Sequence, residues 1–341
     1  MYINEKKINK LFLYWLFTSL ILVFLIIIVG GLTRLTDSGL SITHWELFKG
    51  ILPPLNDANW EEYFNQYKKI PQYKLLNFSM TLEEFKFIFY WEYFHRILAR
   101  LIGLFFLIPL IYFYFTKKVS KNLLNICFLI FFLIMFQGII GWYMVKSGLV
   151  TDTSVSHYRL SIHLCTALVI ISTLFWLIRN IVSKNNKKFY QYSKLYLPYQ
   201  FLIFLLFLQI IIGAFVSGLD AGKIYQTWPL MEKSFFPDDL IIKDFSNIFE
   251  FDNHSLIQFY HRNLAYIIIL YTLILSCIIY KRKLRLMYKP LQILLLILFL
   301  QAILGIFTLI SGLNIYLASA HQITSVLLIF SALNLYYLIA K

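Results

Sequence analysis

WEYFHRILARLIGLFFLIPLIYFYF, residues 91–115, sets the class of fold. From Ile97 to Phe115 only Arg100 is charged, and the run is long enough to cross a hydrocarbon core of about 30 Å as one helix. Seven further runs of this kind fall near residues 11–30, 123–145, 160–181, 197–217, 258–280, 290–311 and 315–339. The 341-residue chain is 60% hydrophobic and 14% charged, with a mean hydropathy of +0.69. Such a composition excludes an ordinary soluble domain and predicts an all-α polytopic membrane protein with eight transmembrane helices.

Charge placement predicts the orientation. Lysines 6, 7 and 10 precede the first span. Lysines 117, 118 and 121, then Arg179 with lysines 184, 187, 188 and 194, then Lys281, Arg282, Lys283, Arg285 and Lys289 fill alternate connections. If the helices alternate in direction, all of these lie on one side, and the positive-inside rule makes that side cytoplasmic together with both termini. The net charge of +14 then serves topology and is weak evidence for a nucleic-acid partner. The first apolar run is long and lacks a small-residue cleavage site, so it reads as a span and not as a removable signal peptide. Glu5 and the absence of arginine argue against a transit peptide. Cys127, Cys165 and Cys277 fall inside predicted spans, with no CxxC or CxxCH, which argues against disulfides and covalent haem attachment.

The halves repeat. QGIIGWYMVKSGL at 137–149 matches QAILGIFTLISGL at 301–313, YFHRILARLIG at 93–103 matches FYHRNLAYIII at 259–269, and GGLTRLTDSGL at 30–40 loosely resembles GAFVSGLDAG at 213–222. The predicted organisation is two tandem four-helix bundles in the same orientation, related by a pseudo-two-fold repeat: residues 1–190 with a long outer loop at 31–93, and residues 191–341 with an outer loop at 218–257. Surface helices are expected at 57–69 and 81–92, the second opened by a Thr81–Glu84 capping box.

Each half brings two histidines to its even-numbered spans: His95 and His163, then His261 and His321. With the N-terminus inside, all four lie near the outer end of their helices, at similar depth. Histidine inside a bilayer is costly and calls for a function. Two imidazoles on facing helices suit the axial positions of one haem iron, so the four make two pairs of ligands. In ungapped register His321 matches His157, which is assigned to the preceding loop. Allowing a loop insertion of about six residues matches it to His163, which lies deeper in an apolar helix and is the preferred ligand. His44, His157 and His254 are read as lying outside the helices, solvated or interfacial.

Glu92 shares a helix face with His95, whereas the second half has Gln258 at that place. A carboxylate at one site only marks it for chemistry, as a proton donor or acceptor or as a stabiliser of positive charge on a substrate carbon; the alternative is a glutamate favoured near a helix N-terminus. Arg96 and Arg262 follow the histidines and are candidates for anionic haem propionates, with snorkelling to lipid phosphate as the alternative. Arg34, Arg100 and Arg159 are weaker candidates.

These residues resemble the haem A synthase family, in its alphaproteobacterial and mitochondrial branch. The resemblance covers nearly the whole chain: GGLTRLTDSGLSI at 30–42, GILPPL at 50–55, MTLEEFKFIFYWEYFHRILARLIGL at 80–104, FQGIIGWYMVKSGL at 136–149, SHYRLSIHL at 156–164, GLDAGKIYQTWPLM at 218–231 and IQFYHRNLAY at 257–266. The cysteine pair of some other bacterial members is absent from the first loop, so no thiol role carries over. The resemblance implies oxidation of one ring methyl of haem O to the formyl group of haem A, through two hydroxylations and loss of water, with oxygen from water or dioxygen. It implies substrate haem O at His95 and His163 with Glu92 catalytic, and haem b at His261 and His321 for electron transfer. Implied partners are a haem O synthase, an electron donor of ferredoxin or other type, membrane lipid and the haem-copper oxidase that receives haem A; self-association as a homo-oligomer stays open.

The abundance of Ile, Lys, Asn and Phe points to an AT-rich genome and a bacterial inner membrane, with the haem sites toward the periplasm. Two other classes compete. A di-haem b-type electron-transfer cytochrome shares the four histidines but gives Glu92 no task. A haem carrier or transporter predicts polar residues through the whole bilayer, whereas here they crowd one end of the even helices.

Overall fold

The computed structural model describes residues 10–44, 49–150, 152–240 and 244–340. Ten α-helices form among them, and no strand: α1 Lys10–Leu35, α2 Asp57–Tyr67, α3 Pro71–Leu75, α4 Leu82–Thr116, α5 Lys121–Gly148, α6 His157–Val182, α7 Leu197–Gly218, α8 His254–Lys281, α9 Tyr288–Ile310 and α10 Ile315–Ile339. Eight are long and apolar enough to cross a membrane, α9 together with the short turn before it. Each contains one of the eight predicted runs. The chain is therefore a multi-pass membrane protein.

Two expectations are corrected. The surface helix placed at 81–92 is not separate: it continues without a break into the span as the 35-residue α4. No glycine or proline stands between Thr81 and His95 to end a helix. Its predicted start is found, with Thr81 Oγ1 accepting from the Glu84 amide and the Glu84 carboxylate accepting from the Thr81 amide. His157 is the first residue of α6 and is buried, neither in a loop nor solvated. His44 and His254 are exposed as expected, although His254 opens α8.

Lys6–Leu174 and Phe175–Lys341 form two compact units, the boundary falling inside α6. In the first, α1 packs along α4. Pro109 inside α4 lacks the N–H that would bond the carbonyl four residues back, at Phe105. Trp15 of α1 supplies the missing donor, its Nε1–H reaching Phe105 O at 3.2 Å. Its indole also packs on Phe106, with ring centroids 4.7 Å apart. A carbonyl left bare in hydrocarbon would be costly, and a neighbouring helix has satisfied it.

A cap of aromatic side chains covers the start of α4. Trp60, Phe64 and Tyr67 of α2 close on Phe85 and Phe89, with Leu40, Ile42, Ile70 and Val155. Phe64 stacks on Phe85 at 5.1 Å, and Trp60 meets Phe89 edge-on at 5.0 Å. The Tyr67 hydroxyl donates to Gln72 Oε1 at 3.0 Å and accepts from Asn77 at 2.8 Å. Burial pushes its phenol up to about 12, so it remains a donor at physiological pH.

In the second unit α7 packs on α8 and α10, and α10 on α9. The stretch between α6 and α7 is tied down: Lys187 Nζ donates to Tyr337 O at 2.9 Å, and Trp176 Nε1–H donates to Lys187 O at 2.9 Å.

The Trp15 bond yields a test. Trp15→Phe keeps an aromatic ring but orphans Phe105 O, costing about 1–3 kcal/mol. Pro109→Ala restores a helical donor to that carbonyl, so the same substitution costs less in its presence. Thermal unfolding in detergent of the double-mutant cycle measures this, and equal losses in both backgrounds would contradict it.

Candidate functional site

The structure brings the four histidines together in two pairs. His95 of α4 and His163 of α6 have ring centroids 6.5 Å apart at an interplanar angle of 86°. His261 of α8 and His321 of α10 repeat this at 6.5 Å and 78°. Metal–imidazole bonds of about 2 Å on opposite sides of one ion leave ring centres roughly 6 to 6.5 Å apart, so each pair has the spacing of two axial ligands on a single iron. Among the described residues no cluster of three or more His, Cys, Asp or Glu side chains could hold a bare metal ion. The donor set thus fits a metal whose remaining ligands come with it, as in a porphyrin.

Helix neighbours position these rings. Gln137 of α5 donates to His163 O at 2.8 Å, and Gln209 of α7 donates to His261 O at 3.0 Å, each tying an odd-numbered span to the histidine helix beside it. His321 Nδ1–H donates to Gln301 O at 3.1 Å. That bond selects the neutral tautomer with an unprotonated Nε2, the form that ligates a metal, and here Nε2 accepts from Gln301 Nε2 at 3.4 Å. Thr324 Oγ1 in turn donates to Gln301 Oε1. In the first unit His163 Nδ1 is buried without a partner, an atom that ordinarily finds one.

A glycine of an adjacent helix lies against every ring. A Cβ built on Gly30 of α1 would stand 3.1 Å from His95 Nε2, and one on Gly141 of α5 would stand 3.1 Å from His163 Cε1. For Gly213 of α7 and Gly305 of α9 the distances to His261 and His321 Cε1 are 3.0 and 2.9 Å. These glycines and the three glutamines are the site residues that the histidine search passed over. Gln137, Gln301, Gly141 and Gly305 stood in the internal match, but only the fold turns them toward the rings.

Glu92 is 2% exposed and fully engaged. Its Oε2 accepts from Ser41 Oγ at 2.7 Å and from the Ile42 amide at 2.8 Å. Its Oε1 accepts from Arg96 Nη2 at 2.6 Å and Nε at 3.1 Å. Arg96 Nη2 also donates to Ile42 O at 3.0 Å. Glutamate and arginine together clamp the chain at Ile42 onto α4. The second unit uses the same device without the acid: Gln258 Nε2 donates to Tyr225 O at 2.8 Å, and Arg262 donates to Tyr225 O and Thr227 O at 2.9 Å each. Arg262 is therefore spent on loop carbonyls, whereas Arg96 divides its donors between Glu92 and the loop carbonyl of Ile42. Arg96 also borders a small open cleft shared with Arg100, His44, Tyr63 and Tyr93. Arg34 pairs with Asp37 at 2.8 Å, and Arg159 stacks 3.8 Å over Tyr143.

Fold and site together describe a multi-pass helical membrane protein with two histidine pairs, each spaced for one iron between helices. A family model described as Cytochrome oxidase assembly protein (COX15-CtaA) matches residues 13–333, and the chain belongs to that family. It is 49% identical over 342 residues to the Heme A synthase of Pelagibacter ubique, covering 99% of each chain. The Heme A synthase of Flavobacterium psychrophilum is 39% identical, covering 95% of this chain and 96% of its own. That of Bartonella tribocorum is 41% identical over 93% and 89%.

The two clamps predict how Glu92 tolerates replacement. Glu92→Leu leaves the half-buried Arg96 guanidinium without its carboxylate and costs about 2–3 kcal/mol. Glu92→Gln recreates the arrangement of Gln258 and costs less than about half of that. Thermal unfolding of both variants decides, and equal destabilisation would contradict the shared clamp.

Proposed function

We propose that this chain is a haem A synthase, oxidising the ring methyl of haem O to a formyl group by successive hydroxylations and supplying haem A for cytochrome oxidase assembly. One observation carries the reading: two histidine pairs of equal spacing, only one of which has a buried carboxylate on the ligand helix. The strong relatedness to curated Heme A synthases over essentially the full chain supports the same conclusion.

In this reading the two tandem halves, residues 1–190 and 191–341, hold different haems. His95 and His163 hold the substrate, haem O. His261 and His321 hold a resident haem b, which supplies one-electron transfer when bound. Glu92 acts at the first site. With both its oxygens already accepting hydrogen bonds, it serves best as a fixed negative charge opposite positive charge developing on the substrate carbon. To take a proton it must first release a partner, and the Ser41 hydroxyl is the neutral side-chain donor that can rotate away. Arg96, at the edge of its cleft with Arg100, meets a haem propionate, and Arg262 has the corresponding place in the second half. Burial among apolar helices keeps bulk water from the rings.

The membrane is the bacterial inner membrane, with both termini cytoplasmic and the haem sites toward the periplasm. A haem O synthase delivers the substrate, and an electron donor of ferredoxin or other type supplies electrons to the site. A plain di-haem cytochrome would not need Glu92 where Gln258 suffices.

Two outcomes test the conversion. Cells supplied with haem O and expressing the chain yield haem A or a hydroxylated intermediate, identified by chromatography and mass; only haem O and haem B would contradict it. Glu92→Gln retains haem but loses conversion by on the order of 100-fold; full turnover in that variant would remove Glu92 from the chemistry.

A further inference from the structure

We propose that Gly30, Gly141, Gly213 and Gly305 are positioning residues that set each of the four imidazoles for its iron. The inference rests on the haem-site reading above and concerns residues that reading does not use.

Glycine inside a helix is disfavoured relative to alanine, yet all four stand inside α1, α5, α7 and α9. Each faces the ring of one histidine, where an added Cβ would come within 3.1, 3.1, 3.0 and 2.9 Å of an imidazole atom. At other helical glycines no imidazole is met: a Cβ at Gly148 would press on Leu40 and the Ser154 carbonyl at 2.8 Å, and one at Gly103 or Gly138 meets no atom within 4 Å. The coincidence of glycine and histidine is therefore specific to the four sites, and Gly138, three residues before Gly141 on the same helix, is an internal control.

The backbone cannot easily yield to relieve such a contact. Gln137 and Gln209 bond the histidine carbonyls across α5–α6 and α7–α8 at 2.8 and 3.0 Å, and His321 Nδ1 bonds Gln301 O across α9–α10 at 3.1 Å, fixing the separation of these three helix pairs near the ring. An added methyl must then displace the imidazole itself by a few tenths of an ångström. A free imidazole swings aside at small cost. One bonded to iron at about 2 Å moves only by tilting or lengthening that bond. Alanine at these positions perturbs the ligand, and valine expels it.

The test uses the full-length protein purified in detergent with its native haem, as wild type, as alanine and valine variants at all four glycines, and as Gly103→Val and Gly138→Val. Haem per chain and the low-spin ferric spectrum by electron paramagnetic resonance are recorded, neither requiring turnover. Each valine variant loses about half of the wild-type haem, because one of two sites fails. Each alanine variant keeps its haem with a shifted low-spin signal, and both controls match the wild type. Unchanged haem and spectra at the four glycines would overturn the proposal, as would controls that lose as much haem. If a valine variant fails to fold, the alanine variant at that position decides by its spectrum. A wild type without a bis-histidine signal would overturn the haem-site reading itself, an outcome distinct from unaltered variants.

Discussion

Imidazoles placed within apolar helices must find inside the protein the partners that water would otherwise supply. That constraint organises the helices around them. Gln137, Gln209 and Gln301 reach from the odd-numbered spans to the backbone or ring of a histidine, and a glycine beside each ring lets the helices come that close. What remains is a pair of rings 6.5 Å apart in each unit, an interval that one iron bridges. The same rule acts away from the sites, where Trp15 bonds the carbonyl that Pro109 leaves bare.

On this shared plan one difference is laid. Both units clamp a loop segment to the histidine helix through an arginine one residue after the histidine. The first adds a buried carboxylate with four hydrogen bonds; the second uses an amide. Removing Glu92 therefore touches two things at once, the attachment of the loop and the charge near the first histidine pair. Glutamine separates them, since the second unit already shows the loop held by Gln258. In the proposed function this asymmetry is the reason for giving substrate chemistry to the first pair and electron transfer to the second.

Much of this was legible in the residues because the bilayer imposes a length and a polarity that eight runs meet. The pairing of His95 with His163 followed from depth and from the internal match. The start of α4 was read from Thr81 and Glu84, but its continuity was not: the polar first turns suggested a surface helix, and the absence of any breaker before His95 was the overlooked signal. His157 was placed in the loop because TDTSVS precedes it, whereas the Ser156 carbonyl already accepts from Leu160 and starts α6. The glycines were visible only as repeat matches. Gly141 aligns with Gly305 while Gly138 aligns with Ala302, a hint that one is constrained and the other free; contact with a histidine ring in another helix needs the fold. The engagement of Glu92 with Ser41 and Ile42 depends likewise on where a long loop returns.

Both sites as proposed depend on His163, rather than His157, being the partner of His95 at an iron. Near-infrared magnetic circular dichroism of the purified ferric protein reads axial ligation directly. The wild type and His157→Ala should give the same bis-histidine band, and His163→Ala should lose the part belonging to the first site while retaining that of His261 and His321. An intact band in His163→Ala, or its partial loss in His157→Ala, would contradict the pairing on which the assignment of both sites is built.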